Sequence, residues 1–129
     1  MAKQIKKSRV LRLVLKKKWF DMFSNGKTEE YRAISPYWIA RLMECKWELD
    51  YSETITHLLS TGHNPEKVMK HFASQWRKFE WVEILLGYQK NREMKLAMVK
   101  RIRIGKPKRK WCEPEDVGKL VFVIELEIL

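Results

Sequence analysis

The chain predicts an α+β fold, a small mixed barrel of about five strands flanked by three or four helices. Two patterns carry that reading. Segments that alternate apolar with polar residues recur at the period of a strand. Between them, a Ser-Pro start, an Asn-Pro start and an Asn-Gly stop punctuate short helical stretches. At 129 residues the chain can bury one core without disulfide or metal support. We therefore expect a basic N-terminal tail over Met1 to Ser8 and a single domain over residues 9–129.

Taken in order, Arg9 to Leu15 sends Leu11, Leu13 and Leu15 inward and Arg12 outward, as a half-buried strand does. Lys17 to Ser24 places Trp19, Phe20 and Phe23 at helical spacing, and Asn25-Gly26 ends that helix through a left-handed exit. Thr28 to Ala33 is the second strand, with Glu30 and Arg32 on one face and Tyr31 turned to the core side. Ser35 then caps a helix that opens on Pro36 and runs to about Lys46, with Tyr37 and Trp38 on its first turn.

Residues 47–78 read as a helical insertion, with helices over about Ser52 to Leu59 and Pro65 to Phe79. In the second of these, Val68, Phe72, Gln75, Trp76 and Phe79 form one stripe that would pack onto the barrel. Trp81 to Leu86 and Met94 to Ile104 follow as a pair of strands joined through Gly87 to Arg92. The last strand, Lys119 to Ile128, turns Leu120, Phe122, Ile124, Leu126 and Ile128 to one side and Glu125 and Glu127 to the other. Trp76 and Trp81 are assigned to the core.

Charge narrows the function. There are 27 Lys and Arg against 16 Asp and Glu, a formal net charge of +11. Lys3, Lys6, Lys7, Arg9, Arg12, Lys16, Lys17 and Lys18 fill residues 1–18 with no acid among them. Lys95, Lys100, Arg101, Arg103, Lys106, Lys108, Arg109 and Lys110 do the same for residues 95–110. If adjacent strands bring the blocks together, they make a positive stripe suited to nucleic acid. Solvated basic faces are the plainer alternative.

Several classes are disfavoured. Val10 to Leu15 is too short for a signal peptide and is followed by lysines, and no apolar run reaches the ~20 residues of a membrane span. A soluble cytoplasmic protein is expected. Cys45 and Cys112 form no Cys-x-x-Cys pair and are expected to be reduced. His57, His63 and His71 lack the spacing of a metal site, so neither metal nor cofactor is expected. Gly26-Lys27-Thr28 imitates the end of a phosphate-binding loop, but Asp21 stands where that motif needs glycine.

The segment Asn25-Gly26-Lys27-Thr28-Glu29-Glu30-Tyr31-Arg32 resembles the Gly-x-Lys-x-x-Glu-x-Arg signature of the ASCH domain, a family with a small β-barrel related to the PUA fold. The first glycine is replaced by Asn25. The resemblance extends over residues 9–46 and 79–129, with Pro36-Tyr37-Trp38, Leu86-Gly87-Tyr88 and Val121-Phe122-Val123-Ile124 among the similar stretches. It implies that Lys27, Glu30 and Arg32 line a cleft that binds RNA or nucleotides. An internal ion pair among the three is the competing reading of their spacing. Trp111 is the preferred stacking aromatic, because it ends the cationic loop and the family often has a tryptophan there. Trp19, Trp38 and Tyr88 are further candidates.

The RNA-binding candidates are thus Lys17, Lys18, Lys27, Glu30 and Arg32, together with Arg101, Arg103, Lys108, Arg109, Lys110 and Trp111. A non-catalytic RNA or nucleotide reader is the leading expectation, with DNA also open and a monomer favoured. A hydrolase of modified nucleosides or a ribonuclease is the alternative, with Lys27 and Glu30 as its candidate catalytic groups. Acetylcytidine amidohydrolases of the family carry a Thr three positions after the motif Lys, where this chain has Glu30. A protein-interaction module in transcription is a third reading.

Overall fold

The structure is a computed structural model that describes residues 10–43, 48–71 and 76–129. The tail Met1 to Ser8, Arg9, Cys45, Trp47, and Phe72 and Gln75 of the expected apolar stripe lie outside the described residues. Among those described, the order is β1 (Val10–Leu15), α1 (Lys17–Met22), β2 (Glu29–Arg32), α2 (Pro36–Leu42), α3 (Glu48–Ser60), α4 (Pro65–His71), β3 (Trp81–Leu86), β4 (Met94–Gly105) and β5 (Val121–Ile128). The fold is α+β, and its five strands form one sheet in the order β1-β3-β4-β5-β2.

The described residues fall into two compact units, divided within β2, β4 and β5. The first takes the chain up to Glu30, Lys78–Arg101 and Ile124–Leu129. β1 pairs with β3 in parallel, Val10 opposite Trp81 through Leu15 opposite Leu86, and β3 pairs with β4 in antiparallel fashion. The alternation of β1 explains its seat: Leu11, Leu13 and Leu15 are buried with Phe20, Phe23, Val82, Ile84 and Ala97, while Arg12 stays exposed. Gly26 leaves the turn after α1 at φ 91°, where a side chain is strained, so the exit falls on the glycine and not on Asn25.

The second unit takes Tyr31–Arg77 and Ile102–Val123. Ser35 accepts a hydrogen bond from the Trp38 N–H and Pro36 opens α2, the expected cap and start. Ile39, Leu42, Met43, Ile55, Val68, Phe122 and Val123 make its core. Trp76 packs edge-on against Phe122, ring centroids 5.7 Å apart.

Four expectations are corrected. The helix from Pro65 does not reach Phe79: α4 ends at His71, Trp76 bridges Met43 in antiparallel fashion, and the Arg77 N–H donates to the Leu42 carbonyl. Trp76, a member of the expected stripe beyond α4, is held by a strand-like partner and not by a helix. The last strand opens at Val121, with Leu120 exposed and Val121 to Ile124 buried on both faces, so its alternation holds only from Glu125 onward. Trp81 is not in the core but 39% exposed. The basic strand segments β1 and β4 are not neighbours, because β3 lies between them and brings Glu83 against Arg12, 3.2 Å away.

Leu13, fully buried in the centre of β1, tests the first core. Leu13→Ala should lower stability by about 2–5 kcal/mol, read as a fall in the urea midpoint. A change within ~0.5 kcal/mol, the range of surface substitutions, would place β1 outside the core.

Candidate functional site

Lys27 follows the Gly26 turn and its backbone N–H donates to the Met22 carbonyl, which fixes where the side chain starts. The lysine is 0% exposed. Its Nζ donates to Glu30 Oε2 at 3.3 Å. It also stands 4.7 Å from the Phe23 ring centroid and 5.4 Å from that of Trp19. The aromatics come from the helix and turn before Gly26, and the carboxylate from the strand after it. One tight turn therefore brings an ammonium against two ring faces and an acid. Thr28 is held by its carbonyl, which accepts from the Leu126 N–H.

Burial changes what this group can do. Charges removed from water carry a large desolvation cost, which attraction offsets only at good geometry and with further partners. Glu30 is 5% exposed and Glu29, the preceding strand residue, 6% exposed. Glu29 was not singled out from the sequence, where a Glu-Glu pair reads as solvated. The same enclosure that costs desolvation strengthens the charge-assisted hydrogen bond between Lys27 and Glu30.

Arg32 belongs to the second unit and is described there. Its guanidinium lies 5.1 Å from the Trp38 ring centroid and donates to the Tyr31 carbonyl at 2.7 Å. Arg41 stands 5.3 Å from Tyr37 and 5.5 Å from Trp38, and the two rings meet edge to face at 5.2 Å. Tyr37 is 61% exposed. Sequence reasoning passed over Arg41, although its i+4 and i+3 spacing from Tyr37 and Trp38 is the helical contact signal. Tyr31 is half-buried, and its hydroxyl accepts from the Lys108 backbone N–H at 3.1 Å. That bond sets the cationic loop beside the start of the Arg32 segment.

Within that loop Lys106, Lys108, Arg109 and Lys110 are exposed. Trp111, expected as an open stacking platform, is buried in a short turn over Arg109–Trp111, with Lys108 and Lys110 ammonium groups 4.8 and 4.5 Å from its ring centroid. Arg103 is half-buried, its guanidinium folded over Gly105 where a Cβ would otherwise stand. In the first unit Lys17 pairs with Asp21 at 2.6 Å, Lys18 covers Trp19 at 4.4 Å and Arg101 pairs with Glu125 at 3.4 Å. Those cations therefore already have partners. The hydrogen bond that Lys17 donates to the Asp21 carboxylate holds the Lys17 pKa above its ordinary value.

Cys112 is a free, buried thiol. Burial first, and the negative charge of Asp116 next, push its pKa up. Among the described residues no group of three or more His, Cys, Asp and Glu gathers as a metal site, and no helix is long and apolar enough to cross a membrane. Comparison with protein-family models, with curated proteins and with solved structures gives no match to this chain.

Two outcomes follow. Lys27→Met removes the ammonium that donates to buried Glu30 and should cost about 3–5 kcal/mol, read by thermal and urea unfolding. Adding Glu30→Gln to it should recover a large part of that loss, because the stranded charge is gone. No recovery in the double variant would show that the two groups are not coupled. Raised in the folded state, the Cys112 pKa keeps the thiol protonated at neutral pH. Its alkylation, mapped by peptide mass spectrometry, should be slow in the native protein and fast in urea; equal rates would show an open thiol.

Proposed function

We propose that the chain is an ASCH-like module with a PUA-type barrel that binds RNA or nucleotides without chemistry. The observation that supports this most is the exposed, acid-free run of Lys106, Lys108, Arg109 and Lys110, anchored through the Lys108 N–H to Tyr31 beside Arg32. Exposed cations in register with a backbone follow phosphates. The neighbouring Tyr37, Trp38, Arg32 and Arg41 add ring and guanidinium planes, on which bases stack with little sequence preference. The signature from Asn25 to Arg32 supports the family reading. The buried Lys27-Glu30 pair then acts as the support of β2, from which Arg32 extends, and not as the ligand contact itself.

Hydrolysis of a modified nucleoside is the second reading, and the buried Lys27 beside a carboxylate favours it. Glu30 weighs against it. A carboxylate repels a developing oxyanion where a hydroxyl would donate to it.

Binding to a short single-stranded RNA should be strong at low salt and, if ~6 phosphates are engaged, fall by roughly a few hundredfold between about 50 and 200 mM salt. Alanine at Lys108, Arg109 and Lys110 together should flatten the logarithmic salt slope by about 2, at ~0.7 per phosphate contact on a single strand. A slope unchanged by that variant, or no binding at low salt, would overturn the proposal. Acetylcytidine incubated with the purified chain should remain intact. Turnover that is lost in a folded Lys27→Arg variant would favour the hydrolase instead.

A further inference from the structure

β1 and β3 end together at one corner of the first unit. Leu15 stands opposite Leu86, and the Gly87 N–H donates to the Leu15 carbonyl at 2.9 Å. The chain therefore leaves that corner twice, side by side, as Lys16-Lys17-Lys18 after β1 and as the turn that carries Tyr88 after β3. This turn is closed. The Leu86 N–H donates to the Glu93 carbonyl at 3.0 Å, and the Arg92 guanidinium donates to the Gly87 carbonyl at 2.8 Å. Gly87 at φ 63° and Asn91 at φ 61° supply its left-handed positions, and asparagine is among the few side chains that take one readily. On it Tyr88 is 88% exposed, the most open large apolar or aromatic side chain among the described residues.

The charge around that ring is positive. Asp21 and Glu93 are the acids of this corner, and both act on Lys17, the first at 2.6 Å and the second through a weaker attraction. Lys16, Lys18 and Lys90 are exposed, and Lys18 keeps its charge while it covers the Trp19 ring. With the Arg92 guanidinium they surround one open aromatic. A ring standing alone in water needs no explanation. A ring fixed on a closed turn among cations is a different case, because its order is set before anything binds. The neighbours of Tyr88 on the turn, Gln89, Lys90 and Asn91, are polar and exposed, so an apolar protein surface or a lipid tail would gain a single ring and desolvate three polar side chains. A single strand of nucleic acid suits the same residues better: its base stacks on the ring and its phosphates meet the ammonium groups.

We propose that this corner, built by Lys16, Lys18, Tyr88, Lys90 and Arg92, is a second contact for single-stranded RNA, on the first unit, where the loop from Lys106 to Lys110 lies on the second. The inference rests on the RNA-binding reading and adds a surface to it. Binding of a short oligouridine is measured over a salt series with the full chain and with the Lys108, Arg109 and Lys110 triple alanine variant. In both backgrounds Tyr88→Ala should weaken binding by about tenfold, within the range found for loss of one base stack, and Tyr88→Phe should recover most of the loss. Alanine at Lys16, Lys18 and Lys90 together should flatten the logarithmic salt slope by about 2. Circular dichroism spectra that match the unaltered chain keep these variants comparable. Binding that the loop variant abolishes, and that neither Tyr88→Ala nor the lysine variant alters, overturns this proposal and leaves the RNA reading standing. No binding by the unaltered chain at low salt overturns both. A loss in Tyr88→Ala that is as large against inorganic polyphosphate as against oligouridine overturns the stacking role of the ring. Pelleting with phosphatidylserine vesicles that Tyr88→Ala abolishes, with RNA binding unaltered, overturns the proposal in favour of a lipid surface.

Discussion

A single buried ammonium sets the terms for residues 10–30. Lys27 is enclosed by the ring faces of Phe23 and Trp19 and reaches Glu30 across a turn of three residues. Its position needs α1 to stop where it does and Gly26 to take a left-handed conformation, so that β2 begins with Glu30 on the lysine's side. The two buried charges offset one another's desolvation, so the lysine and Glu30 favour each other's enclosure. The pair is thus a constraint on register. A slip of one residue in β2 would turn Glu30 to the opposite face.

The surplus of positive charge is not spread evenly in its consequences. Where a cation meets an acid of the neighbouring segment, as Arg12 meets Glu83 and Arg101 meets Glu125, the surface behaves as a neutral weave. Exposed pairs of this kind add little stability. Their effect is on the local field, since each pair cancels a positive charge where it stands. Composition counts all 27 basic residues alike; topology decides which of them act outward.

Strand positions were legible because a half-buried strand writes its period into the chain: β1 and β3 match their alternating segments closely. The cap at Ser35 and the stop at Asn25-Gly26 were legible for a similar reason, each being local chemistry. What failed was non-local. Nothing near Trp76 announces that Met43 will pair with it, and nothing near Val121 and Val123 announces that both faces of β5 will be covered. The ion pair of Lys27 with Glu30 was one of two readings of their spacing, but its burial was not readable, because lysine and glutamate are ordinarily solvated. The interposition of β3 between the two basic strands is likewise a fact of topology.

The parallel pairing of β1 with β3 also has a cost in time. Val10 is opposite Trp81, 71 positions later in the chain. At the usual pace of synthesis, about 5–20 residues per second, roughly 4–14 s separate the appearance of β1 on the ribosome from that of its partner. Until then Leu11, Leu13 and Leu15 have α1 beside them but no β3 to complete their burial. Closure of the first unit is therefore a late event in the life of each nascent chain, set by the emergence of residues 81–86 and not by the strand with which the unit begins.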